Sequence, residues 1–134
     1  MQFYSFELKL KIDKSNITEC YFQAVSNSSW SNFGYLVVGD IDTDPAFLAN
    51  LTRFNNGYGV GVILLNMNNP QKSEIIVSAR ERESVDINFM NFLSEMNMDF
   101  YEFISTAIDI VKNKSIDNLK FDTVQNFANL TNNE

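Results

Sequence analysis

Residues 6–12 read Phe6-Glu7-Leu8-Lys9-Leu10-Lys11-Ile12, an alternation of apolar and charged side chains with a period of two. Successive side chains on a strand point to opposite faces, so Phe6, Leu8, Leu10 and Ile12 line one face and Glu7, Lys9 and Lys11 the other. A carboxylate and an ammonium two residues apart therefore share a face. That arrangement suits a solvated strand surface as well as half of a metal-dependent nuclease site, and the spacing does not choose between them.

Working outward, the strand covers residues 2–12 and reads as a central one. It begins within a residue or two of Met1, so a lost upstream piece is expected. Asp13 to Asn16 form a polar turn, with Ser15 or Asn16 placed to cap a helix and Glu19 placed for a capping box. Ile17, Cys20, Tyr21, Ala24 and Val25 then recur at helical spacing as a buried stripe. The helix ends in the polar run 27–32. Residues 34–41 form a nearly unbroken apolar run, the pattern of a strand covered on both faces in a parallel sheet.

Asp44 and Pro45 open a short helix over 46–54, which Asn55, Asn56 and Gly57 are expected to stop. Residues 59–65 form another buried strand. Asn68, Asn69 and Pro70 make a turn into a further strand at 73–79. From 85 to 114 the period is helical, with a break at 97–99 and Asp99 as the expected cap of the second helix. The polar, Asn-rich residues 115–134 read as a weak helix or tail. This order specifies an α/β domain over residues 1–114, with a mixed, partly parallel central sheet flanked by helices and a helical C-terminal third.

Composition narrows the chemistry. The chain has 134 residues, no histidine, one cysteine and a net charge of −7. One core can bury about two-thirds of the unfolded surface of a chain this long. Without histidine, Ser-His-Asp and Cys-His catalysis and His-based zinc sites are excluded, and Cys20 alone forms no internal disulfide. Any metal would be held by oxygen. The negative charge opposes non-specific attraction to nucleic acid, although Lys9, Lys11 and Lys14 form a local basic strip. No stretch is long and apolar enough to span a membrane, and a cytoplasmic setting is expected.

A Glu-x-Lys strand suits Mg²⁺-dependent phosphodiester hydrolysis, in which a carboxylate holds the metal and a lysine orients the attacking water. On the following helix, Gln23 and Asn27 lie one turn apart and off the apolar stripe. Two amides there either face the Glu7/Lys9 edge or are solvated. Arg80-Glu81-Arg82-Glu83 reads chiefly as a solvated, ion-paired edge, with Arg80 or Arg82 also able to meet a DNA phosphate. Trp30, Phe33 and Tyr35 read as corner packing rather than a base-stacking platform, and Cys20 as an inert core thiol.

FELKLKI, then YFQAVSNSSWSNFGYLVVGDID, GYGVGVILLN and SARERE, resembles the C-terminal domain of bacterial HrgA-like proteins. In that family a winged-helix (HARE-HTH) module precedes a restriction-endonuclease-like domain. More distantly, Glu-x-Lys followed by a helical Gln is similar to the PD-(D/E)xK nucleases. The resemblance implies a restriction-endonuclease-like fold, Glu7 as the metal-binding acid, Lys9 as the catalytic lysine and Gln23 as the glutamine beside them. Lys11, Asn27, Arg80 and Arg82 are then the side chains assigned to DNA, and Mg²⁺ is the expected cofactor.

The family pattern also needs an acid on an earlier strand, which does not fit ahead of Met1. Asp13 shares the parity of Glu7 but lies about 20 Å along the strand, too far to replace it. Weak metal binding and poor DNA cleavage are therefore expected of this chain. A non-catalytic interaction or regulatory module that keeps the fold is the alternative. A third expectation is that the first strand pairs across a homodimer, or with a separately encoded winged-helix fragment.

Overall fold

The computed structural model describes residues 1–117 and 120–122, and within them the alternating stretch forms β1 (Tyr4–Ile12). It is followed by α1 (Ile17–Asn27), β2 (Phe33–Ile41), α2 (Pro45–Tyr58), β3 (Gly61–Leu64), a 3-10 turn (Pro70–Lys72), β4 (Glu74–Val77), α3 (Ile87–Met96) and α4 (Met98–Asn113). The chain divides into two compact units, Met1–Phe92 and Leu93–Glu134. In the first, one sheet runs β1-β2-β3-β4, parallel at β1/β2 and β2/β3 and antiparallel at β3/β4. The expected α/β domain with a mixed sheet and helices is present. The strand read as central is an edge strand.

That strand order determines which face is covered. The crossovers from β1 to β2 and from β2 to β3 step in the same direction across the sheet. Right-handed crossovers therefore place α1 and α2 on one face. The two helices meet there: the ring of Tyr21 lies 5.2 Å from that of Phe54, and Phe22 meets Phe54 at 5.5 Å and Tyr58 at 4.8 Å. Ile17, Cys20, Tyr21 and Ala24 of α1, with Phe47 and Leu51 of α2, close over Leu36, Val38, Val60 and Val62 in one core. Each large apolar side chain fully buried there stabilises the fold by about 1.5–3 kcal/mol.

β2 is covered fully on this side only. Leu36 and Val38 are buried, whereas Phe33, Tyr35 and Val37 on the opposite side are half-exposed. An apolar run of strand length signals burial without saying on how many sides, which is why the expectation of two covered faces fails.

The helix ends also depart from their expected caps. Asn16 precedes α1 without capping it through its side chain. That side chain instead accepts a hydrogen bond from the Asp13 amide and donates to the Lys11 carbonyl, closing the turn after β1. Asp44 caps α2 by accepting from the Ala46 amide at 2.8 Å, and it also pairs with Lys14. α2 runs through Asn55, Asn56 and Gly57 and stops at Gly59, whose φ of 76° is left-handed. Helices end where the backbone turns left-handed, which glycine does without a Cβ penalty.

In the second unit, Asn97 rather than Asp99 caps α4, accepting from the Phe100 amide at 3.0 Å. Ile104 and Ala107 are its buried positions. The weak helix expected over 115–134 falls mostly on residues 118–119 and 123–134, outside the described residues. No helix among the described residues is long and apolar enough to cross a membrane.

Candidate functional site

The covered face of β1 carries the charged residues. Glu7 lies opposite Leu36 and Lys9 opposite Val38 in the parallel register, and both partners are fully buried. Because facing residues of paired strands share a side, Glu7 and Lys9 point to the helix-covered side at the sheet's edge. Of the apolar set, Phe6, Leu8 and Leu10 point the other way and are exposed, whereas Ile12, the last residue of the strand, is fully buried in the core. A sequence with this alternation usually buries its apolar face. Here that face is turned out and the ion pair is turned in.

Glu7 and Lys9 form a partly covered pair, with Lys9 Nζ 3.3 Å from Glu7 Oε1 and side-chain exposures of 21% and 29% for the acid and the amine. Asn27 Nδ2 donates to the second carboxylate oxygen, Glu7 Oε2, at 3.0 Å. Thus α1 delivers an amide to the acid, through Asn27. Gln23, one turn earlier, is exposed on the helix surface. Beneath them lies Cys20, whose thiol is pushed up from its usual value by burial first; Lys9 opposes the shift, while Glu19, Glu7 and Asp13 add to it.

The remaining residues assigned to DNA are engaged elsewhere. Lys11 Nζ lies 3.5 Å from Asp40 on the exposed end of the β1/β2 pair. Arg80 Nη2 donates to the Asn56 carbonyl at 3.1 Å, beside the end of α2. Arg82 is half-buried rather than part of a solvated ion-paired edge. Its guanidinium donates to the carbonyls of Ser28 at 2.7 Å and Ser31 at 3.3 Å, and to Ser28 Oγ at 3.1 Å. Burial holds its pKa below the usual arginine value, with Tyr21 opposing the shift.

Arg82 closes a buried polar knot at the C-terminal end of α1. Ser31 Oγ lies 2.9 Å from each of Ser5 Oγ, the Ser28 carbonyl and the Phe33 carbonyl. Asn32 accepts from the Phe3 amide at 2.8 Å and donates to the Arg82 carbonyl at 3.1 Å. A cation donating to the C-cap carbonyl at the end of a helix complements the macrodipole. The polar run 27–32 gave the sequence signal of a loop; nothing in its composition disclosed that Ser28 and Ser31 would be buried.

The chain matches no protein-family model, no curated protein and no solved structure. The cluster must be read on its own chemistry. Among the described residues no group of three or more histidine, cysteine, aspartate and glutamate side chains gathers to hold a metal. Glu7 offers one carboxylate, already bonded by an ammonium and an amide. Mg²⁺ is held by one or two carboxylates together with waters and substrate phosphate oxygens in an octahedron, so Glu7 would supply one ligand of such a site and only by giving up the ammonium or the amide. The cluster can polarise or position a polar group at the sheet edge.

Proposed function

We propose that this chain is a restriction-endonuclease-like DNA-processing domain, incomplete as a catalyst, in which Glu7 and Lys9 are the half-site that remains. The single observation carrying this reading is the inversion of β1. An ion pair occupies the side covered by α1, next to buried Leu36 and Val38, while three apolar side chains of the same strand face out. For a partly covered ion pair the desolvation cost largely offsets the Coulombic gain, so stability alone gives little reason for this placement. In this reading Lys9 holds or moves a proton near a scissile phosphate, Asn27 orients Glu7, and Mg²⁺ would supply Lewis-acid polarisation once further oxygen ligands are present.

A second reading, a non-catalytic interaction or regulatory module, is favoured by the engagement of both Glu7 oxygens and by the single carboxylate in the cluster. Titration with Mg²⁺ or Mn²⁺, followed by calorimetry and amide NMR, separates the two. A weak response at millimolar metal, centred on residues around Glu7 and lost in Glu7→Ala, supports the nuclease half-site. Absence of any response in the folded wild type overturns it and leaves the interaction module.

A further inference from the structure

β1 pairs with β2 along one edge, and no strand among the described residues pairs with its other edge. It is nine residues long. Exposure of its outward apolar face rises along the strand, from 53% at Phe6 to 68% at Leu8 and 81% at Leu10. Tyr35 and Val37, next door on β2, are only half-exposed. On this side of the β1/β2 pair, exposed apolar surface is thus greatest on the strand that has no second strand partner among the described residues. A long, apolar edge strand is a template for another strand.

We propose that the occupant is a second copy of this chain, joined by antiparallel pairing of β1 with β1 about a two-fold axis at Leu8. The sequence of the strand is self-complementary in that register. Leu8 of one copy faces Leu8 of the other, Phe6 faces Leu10, and Glu7 faces Lys9, each pair occurring twice by symmetry. Centring the axis on Glu7, Lys9 or Leu10 instead sets Glu7 on Glu7, Lys9 on Lys9 or Lys9 on Lys11. Parallel pairing in register also stacks like charges. Directly opposed like charges destabilise a sheet, and an axis at Phe6, although free of them, sets Glu7 on Ser5; the Leu8 register is the one that avoids like charges and also sets every Glu7 on a Lys9.

The helices accommodate this pairing. α1 lies over the β1/β2 pair, so a two-fold axis beside β1 sets the two α1 axes about two strand spacings apart, roughly 10 Å. That is the ordinary packing distance of helices. The proposal does not depend on the nuclease reading, since it uses the backbone edge, the apolar face and the charge register of β1.

Sedimentation of the full chain is expected to show twice the monomer mass. Glu7→Lys alone and Lys9→Glu alone are expected to fall to monomer, because each sets like charges across the axis, and an equimolar mixture is expected to return to dimer. Should either charge variant lose its circular dichroism signature, cysteine cross-linking decides. Directly opposed Cα atoms lie about 4.5–5.5 Å apart, within disulfide reach. Leu8→Cys should oxidise to a covalent dimer, whereas Phe6→Cys, facing Leu10, should not. A monomeric wild type at hundreds of micromolar, or Phe6→Cys cross-linking as readily as Leu8→Cys, overturns the proposal.

Discussion

Asn27 Nδ2 and Glu7 Oε2 lie 3.0 Å apart, joining the last turn of α1 to the middle of the edge strand across twenty residues of sequence. The bond fixes the carboxylate beside Lys9 and leaves Gln23 on the helix surface. Asn27→Ala should destabilise the fold by about 1 kcal/mol, the usual contribution of such a bond with a charged acceptor being about 1.5–3 kcal/mol before solvent replaces it at an exposed site. Urea denaturation measures this, and an unchanged midpoint would show that water substitutes fully for the amide.

Arg82 is a structural cation. Arg82→Ala removes three donated bonds from the Ser28/Ser31 knot, although Ser31 still donates to the Ser28 carbonyl, so a loss of about 1–3 kcal/mol is expected. Arg82→Lys should recover only part of it, because one ammonium does not reproduce the planar fork. A destabilisation of Arg82→Ala below about 0.5 kcal/mol, the range of ordinary surface sites, would place the side chain outside the fold's support.

Tyr21 is fully buried and donates to the Val60 carbonyl at 2.8 Å. Its pKa is pushed up to about 12, first by burial. The neutral phenol is therefore favoured by folding. The stability it contributes is fully present below the unfolded value of about 10 and is lost as pH rises through about 12, by at most about 1.4 kcal/mol per pH unit. Tyr21→Phe should be less stable than wild type at pH 8 by about 0.5–1.5 kcal/mol. Urea denaturation between pH 9 and 12 should show the gap narrowing, and a constant gap would contradict the assignment.

Gly61 is a close-approach position. A Cβ there would meet the Tyr35 ring at 2.4 Å and the Ala79 amide nitrogen at 2.5 Å. The backbone contact leaves no flexible atom to move aside, so Gly61→Ala should cost about 1–3 kcal/mol through overpacking. Thermal unfolding followed by circular dichroism reads the change.

Cys20 is nearly inaccessible, and burial raises its thiol pKa. Its reaction with a disulfide reagent such as DTNB should be slow in the native protein and fast in urea, since the thiolate is the nucleophile. Equal rates in both conditions would mean that the core above β1 opens readily.

Much of the fold was legible in the chain. The period of two marked β1, the helical period marked α1 and α4, an unbroken apolar run marked β2, and the stripe of Ile17, Cys20, Tyr21 and Ala24 is the face that α1 buries. Helix boundaries were less legible because they depend on one backbone conformation: Gly59 rather than Gly57 turns left-handed, and Asn97 rather than Asp99 holds the capping geometry. In the candidate site, Glu7, Lys9 and an amide from α1 do meet. The amide that reaches the acid belongs to Asn27, since helical spacing puts Gln23 and Asn27 on one side without saying which turn lies over Glu7.

By itself the sequence determined that Glu7 and Lys9 share a face of one strand and that Phe6, Leu8 and Leu10 share the other. It also ruled out histidine chemistry. Only the tertiary structure decided which of those faces is covered and that the strand lies at the sheet's edge. The physical reason is that a period of two sorts side chains into two sets but names neither neighbour. The two crossovers, stepping the same way across the sheet, put α1 and α2 on the face that carries Glu7 and Lys9 and left Phe6, Leu8 and Leu10 facing out.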